Sequence, residues 1–253
     1  MGQEKRVVAV TGGTRGIGRA VAELFLGRGD VVAVCSRSPR EASLPEEIAH
    51  LQADVRRRAD VKRFTAFVAQ RWGRLDVFVN CAGISRWRSV EEIDEAFAQE
   101  VIETSFLGSL WGCACAAETM AAGGCIVNVS SLAGKRGSAN NSVYCAAKFA
   151  VNGMTQALAK ELGPRGIRVN AVCPVYVETE HLLASLAEPE SPARGQSIDA
   201  YLSTFATTQA ALGRLPTREE VAEAIYFLSS PAASAITGQC LNIDCGVLPQ
   251  ETS

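Results

Sequence analysis

A chain of 253 residues, 47% hydrophobic and 21% charged, holds enough apolar material for a large core, and its formal net charge of −2 gives no electrostatic basis for nucleic-acid binding. No apolar run reaches the roughly 18 residues of a membrane span. The least polar stretch, Phe106 to Ala117, is broken by Gly108 and Gly112 and closes at Glu118. The nine cysteines are scattered without a CxxC pair, and the only two histidines, His50 and His181, stand far apart. Reduced thiols, no metal site, no membrane association and a cytoplasmic setting are therefore expected. Met1 to Arg6 leads into a strand-like run with no signal-peptide core, and Arg6 breaks the myristoylation pattern.

Taken in chain order, Val7 to Val10 is a continuous β-branched run of the kind found in a strand buried on both faces. A glycine-rich turn, Gly12 to Gly18, follows, and then Ala20, Val21, Leu24 and Phe25 recur at helical spacing up to Gly27 and Gly29. Further strands are predicted at Val31 to Cys35, Asp76 to Asn80, Ile126 to Val129, Arg168 to Cys173 and Cys240 to Asp244, with a weaker one near His50 to Ala53. Helices are predicted over Val61 to Trp72, Glu92 to Ala121, Val143 to Leu162 and Arg218 to Leu228. Between Arg37 and Asp54 the chain is too short for a crossover helix, so a loop is expected. Alternating strands and helices imply an α/β fold with a mainly parallel sheet covered on both faces. One domain over residues 1–253 is expected. Within it, about 180–212 form a substrate-binding flap, irregular and mobile around Glu188 to Ile198.

Thr11-Gly12-Gly13-Thr14-Arg15-Gly16-Ile17-Gly18 stands between a strand and a helix, where glycines let the backbone approach a pyrophosphate at the helix N-terminus. With its GxxxGxG spacing, this turn resembles that of the short-chain dehydrogenase/reductase family. The resemblance extends through Asn80-Cys81-Ala82-Gly83, Ser131, Tyr144-Cys145-Ala146-Ala147-Lys148 and the segment Gly238 to Gly246 with Asp244, from about Val7 to Gly246. It implies a doubly wound Rossmann fold with a seven-stranded sheet, and an enzyme of the 3-oxoacyl reductase or ketoreductase kind. Cofactor contacts are expected from Gly12, Thr14, Arg15, Gly16, Ile17 and Gly18, from Asn80, Ala82 and Gly83, and from Pro174, Val177 and Thr179, with Asp54 and Val55 flanking the adenine. Ser36 is neutral and Arg37 cationic where an NAD site would place a carboxylate, and Arg15 adds a second cation. Two guanidinium groups facing a 2′-phosphate favour NADPH/NADP+ over NADH/NAD+.

By resemblance, Tyr144 is the proton donor, Ser131 polarises the substrate oxygen, and Lys148 binds the nicotinamide ribose. Lys148, four residues after Tyr144, shares its helix face and is expected to lower the tyrosine pKa. Two departures stand out. Alignment on Gly108 puts Ser105 where the family has a relay asparagine, which makes Ser105 a further catalytic candidate. Val175 stands where the family has glycine, narrowing the site. Cys81 and Cys145 are expected to pack. Trp87, with Arg86 and Arg88, is read as a solvated basic loop that could instead border the pocket mouth. The expected reaction is NADPH-dependent reduction of a small-molecule or acyl-carrier-linked ketone. Two alternatives are oxidation of a cyclic alcohol or dihydrodiol, and a non-catalytic cofactor sensor. Resemblance also implies a homodimer or homotetramer.

Overall fold

Seven parallel strands form one sheet in the order β3-β2-β1-β4-β5-β6-β7 in the computed structural model, which describes residues 5–248. The reading made on Met1 to Glu4 lies outside the described residues. Strands β1 (Val7–Thr11), β2 (Val31–Ser36), β4 (Val77–Asn80), β5 (Cys125–Val129) and β6 (Arg168–Pro174) make up the interior of the sheet. Their side chains alternate between two cores. Val7 and Ala9 join Phe64, Phe78 and Leu162 on one face, while Val8 and Val10 join Phe25, Val34 and Ile225 on the other. Neither face is wet, so these strands read as unbroken apolar runs. β3 (Ala49–Gln52) and β7 (Cys240–Ile243) form the edges and are only partly buried, which explains the weak signal of β3.

Helices α1 (Gly16–Gly27) and α8 (Arg218–Ser229) cover the second face; α2 (Arg58–Trp72), α4 (Gly108–Thr119) and α5 (Ser142–Leu162) cover the first. As expected, no helix lies between β2 and β3. The long helix expected over Glu92 to Ala121 is instead interrupted. It begins as α3 (Glu95–Ile102), capped by Asp94, whose carboxylate accepts a hydrogen bond from the Phe97 amide at 2.7 Å. It then passes through a π-helical turn, Glu103–Leu107, before α4. The flap region is more structured than its composition implies. It contains α6 (Glu180–Leu186) and α7 (Ile198–Gln209), joined by turns, and Leu186, Ala193 and Leu202 pack with Trp87 into a third apolar cluster. No helix of the described residues is long and apolar enough to cross a membrane.

Strand order reverses between β1 and β4. In a doubly wound sheet the crevice beyond the carboxyl ends at such a point is where ligands bind.

Candidate active site

The glycine turn sits at that crevice and is shaped by close backbone packing. A Cβ built on Gly18 would lie 2.3 Å from the Gly12 carbonyl oxygen, and one on Gly12 would lie 3.0 Å from Ala82 Cα. Gly12 also has φ +66°, a left-handed conformation suited to glycine. Thr11 holds the facing segment: its Oγ1 accepts hydrogen bonds from the Cys81 and Ala82 amides at 3.1 and 3.2 Å. The N-terminus of α1 has no side-chain cap and no acid in its first turn. Its amides and positive dipole end are thus left for an anion, which fits the pyrophosphate of a dinucleotide.

Ser131, Tyr144 and Lys148 come together beyond the carboxyl end of β5. Ser131 caps the short 3-10 turn Leu132–Gly134, accepting from the Ala133 amide at 3.1 Å. That turn lies directly on α5: a Cβ on Gly134 would meet the Lys148 carbonyl at 2.7 Å, and Asn152 Nδ2 donates to the Gly134 carbonyl at 2.9 Å. The close packing brings Ser131 beside Tyr144, near enough for its hydroxyl to act on the phenol. Lys148 Nζ lies 5.6 Å from the centre of the Tyr144 ring and donates to the Val129 carbonyl at 2.8 Å. Burial pushes the Tyr144 hydroxyl up to about 12, with the Ser131 hydroxyl working against the rise. Burial also pushes Lys148 down to about 8. The lysine was expected to lower the tyrosine, but desolvation is the larger effect on that phenol.

The segment after β4 completes the floor of the crevice. Gly83 lies against both Lys148 and Ser105, since its built Cβ would be 3.5 Å from Lys148 Nζ and 3.7 Å from Ser105 Oγ. The buried Ser105 hydroxyl accepts from the Ile84 amide at 3.0 Å and donates to the Ile84 carbonyl at 2.9 Å. Its only proton is therefore committed to the backbone it holds. Asn80 turns its amide inward, away from the crevice, and donates to Asn128 Oδ1 at 2.8 Å; Asn128 in turn donates to Thr155 at 3.0 Å. Burial pushes the Cys81 thiol up to about 12, so it stays protonated, and Cys145 is buried.

At the far end of the crevice, Arg37, Gln52, Ala53, Asp54, Arg57, Asp60 and Arg63 line a cavity of about 390 Å³. Ser36 Oγ is 2.9 Å from His50 Nε2. Asp54 is neutralised by Arg56 at 2.6 Å and Asp60 by Arg63 at 3.0 Å, whereas Arg37 and Arg57 have no ion-pair partner among the described residues. Arg15, expected to face the 2′-phosphate with Arg37, pairs with Glu41 at 2.7 Å. Val55 is buried against Gly108.

On the flap side, Pro174 ends β6, Val177 is buried, and Thr179 caps α6 by accepting from the Leu182 amide at 3.2 Å. The Thr179 methyl closes on the glycine turn, 3.3 Å from a Cβ built on Gly16. The basic loop is only partly solvated, because its central side chain turns inward. Trp87 is buried, with its indole donating to Ser185 at 2.9 Å and its amide to Glu188 at 2.6 Å. Glu188 also pairs with Arg86 and lies 4.0 Å from Arg88.

A family model described as enoyl-(acyl carrier protein) reductase matches residues 12–248. A protein of Streptomyces virginiae, named as a ketoacyl reductase of the monensin polyketide synthase, is 38% identical over 96% of this chain and 97% of its own. The chain belongs to the short-chain dehydrogenase/reductase family. Two solved members of that family superpose closely. One is a variant of actinorhodin polyketide ketoreductase with NADPH, with TM-score 0.87, 33% identity and coverage of 97% of this chain and 98% of that one. The other is the aldohexose dehydrogenase of Thermoplasma acidophilum in ligand-free form, with TM-score 0.86, 32% identity and coverage of 98% and 97%. The Rossmann fold expected for a short-chain dehydrogenase/reductase is therefore present, and the chain is an oxidoreductase of the ketoreductase type. Arg57 was not singled out in the sequence. Its only signal there was membership of the run Arg56-Arg57-Arg58, which does not reveal which guanidinium reaches the cavity.

Proposed function

We propose that the protein reduces a ketone or 3-oxoacyl carbonyl with NADPH, using Tyr144 as proton donor. The observation that carries this reading is the grouping of a half-buried, protonated phenol with the Ser131 hydroxyl and the Lys148 ammonium at the crevice. A bound nicotinamide supplies the hydride to the carbonyl carbon. Ser131 and Tyr144 donate hydrogen bonds to the carbonyl oxygen, drawing charge onto it, and Tyr144 releases its proton as that oxygen becomes an alkoxide. Lys148, charged below about pH 8, stabilises the phenolate left behind. Ser105 holds Ile84, and through it the crevice floor, without a proton to spare for a relay.

NADPH preference is supported by the electrostatics of the adenosine end. Arg37 and Arg57 keep their charge unpaired, and the acids that would repel a 2′-phosphate are each bound to another arginine. The related ketoreductase solved with NADPH agrees with this choice.

The test is NADPH oxidation with a panel of aliphatic, cyclic and 3-oxoacyl thioester ketones. Tyr144→Phe should lower kcat by about 10²–10⁴-fold while leaving NADPH binding intact. Wild-type turnover in that variant overturns the mechanism. We also propose a homodimer or homotetramer, because Phe149 on α5, Phe227 on α8 and Leu241 on β7 leave large apolar side chains exposed. A monomeric mass by light scattering at micromolar concentration would exclude it.

A further inference from the structure

Glu188 takes up Arg86 and Arg88, which removes those two cations from substrate recognition. Another cation near the reacting groups has no such partner. Arg136 lies two residues beyond the turn Leu132–Gly134 that follows Ser131; it is half-buried, and its guanidinium makes no hydrogen bond or ion pair with any described residue. Every other buried or half-buried lysine or arginine among the described residues has a partner: Lys148 holds the Val129 carbonyl, Lys135 the Cys240 carbonyl and Arg56 the Asp54 carboxylate. A guanidinium carries five N–H donors and cannot shed its charge. Partial burial without an acceptor is unfavourable unless something else supplies one.

The surroundings of Arg136 suggest what that is. Its charge acts on the hydroxyls of Tyr176 and Tyr201, opposing the rise in pKa that burial imposes on both. The two hydroxyl oxygens are 2.9 Å apart. One donates to the other, which leaves the second proton without an acceptor among the described residues. Phe205 packs edge-on to Tyr176 with ring centres 4.9 Å apart and tilted against Tyr201 at 6.2 Å, fixing both phenols. Arg136 follows β5 and Tyr176 follows β6. These strands are neighbours, and their carboxyl ends form the edge that also holds Ser131. A guanidinium and an uncommitted phenolic proton, braced by aromatic rings at the same edge of the sheet as Ser131, make a donor set with no acceptor of its own.

We infer that Arg136 and the Tyr176–Tyr201 hydroxyl pair form an anion subsite, and that the carbonyl substrate carries a carboxylate or phosphate which docks there. The inference rests on the reductase reading for what the rest of the substrate is, but the subsite itself does not depend on turnover. Its chemistry could be satisfied by the carboxylate of a free oxo acid or by the phosphate of a carrier arm.

Two matched substrate pairs separate these sources: 4-oxopentanoate against its methyl ester, and the 3-oxobutanoyl thioester of pantetheine 4′-phosphate against that of pantetheine. In at least one pair the charged member should be favoured in kcat/KM by about 10- to 100-fold, mostly through KM, as a charge-assisted contact would give. Arg136→Met should bring that ratio close to one, and Arg136→Lys should retain part of it. Calorimetric titration with pentanoate and with pantetheine 4′-phosphate, neither of them a ketone, reads the subsite without turnover. Binding there should weaken by a similar factor in Arg136→Met. If neutral ketones are reduced but neither pair shows discrimination, the subsite is overturned and the reductase reading stands. If no ketone is reduced yet anion binding depends on Arg136, the subsite stands and the reductase reading falls.

Discussion

The two sides of the crevice are held in place by different means. On the cofactor side, position is set by backbone against backbone: Gly18 against the Gly12 carbonyl, Gly12 against Ala82, and Thr11 clasping the Cys81 and Ala82 amides. On the flap side, position is set by long polar side chains, with one carboxylate, Glu188, holding Arg86, Arg88 and the Trp87 amide. Backbone packing at van der Waals limits has few solutions and tolerates little change. Side-chain pairs can be exchanged while the scaffold stays the same. A fold that keeps its cofactor and varies its substrate is well served by that division of labour.

The contrast predicts a graded set of outcomes. Gly18→Ala should be the most damaging, because its methyl would have to enter the Gly12 carbonyl; overpacking of this kind costs about 1–3 kcal/mol. Denaturant unfolding should show that loss, and fluorescence titration should show NADPH binding weakened by at least about tenfold, since the turn that must move is the phosphate cradle. Arg37→Asp should come next. It leaves the packing alone but puts a carboxylate where Arg37 now faces the cavity, so preference should move toward NADH by about 10- to 100-fold in paired titrations. Glu188→Gln should have the smallest effect on the fold, within about 1 kcal/mol, because its ion pairs are partly exposed and the amide can still accept from Trp87. Its effect should instead appear as faster cofactor release in stopped-flow measurements, as the flap loses its charged tether. A tolerated Gly18→Ala together with a destructive Glu188→Gln would reverse the comparison.

The same contrast explains what could be read from the sequence. Interior strands such as Val7 to Val10 and Arg168 to Cys173 were legible because burial on both faces leaves no polar alternation to confuse them. Ser131, Tyr144 and Lys148 were legible through their resemblance to the family's motifs, and the structure brings them together. The pairing of Arg15 with Glu41, across 26 residues, was not legible, because it depends on how the helix-free loop after β2 folds back. Glu188 was hidden for the same reason: about a hundred residues separate it from Arg86 and Trp87. Composition suggested an irregular flap, since Pro, Ser and Gly signal turns but carry no information about Leu186 and Leu202 meeting Trp87. Arg136 gave no signal, since an arginine lacking a partner looks in sequence like any other.

The π-helical turn at Glu103–Leu107 can also be viewed as a record of chain length. Such a turn accommodates one residue more than the α-helical path around it, and each residue of an α-helix advances the side-chain direction by about 100°. The extra residue therefore resets the phase between α3 and α4. Phe97 and Val101 can stay buried ahead of it and Cys113 and Ala116 behind it, while Ser105 is aimed at Ile84. Deleting a single residue from this turn would restore an unbroken helix of the kind expected from the sequence. It would also rotate one half against the other by more than a quarter turn, trading the serine's hold on the crevice floor for regularity. At this point the irregular helix, and not an ideal one, is the arrangement that lets the core and the site be satisfied together.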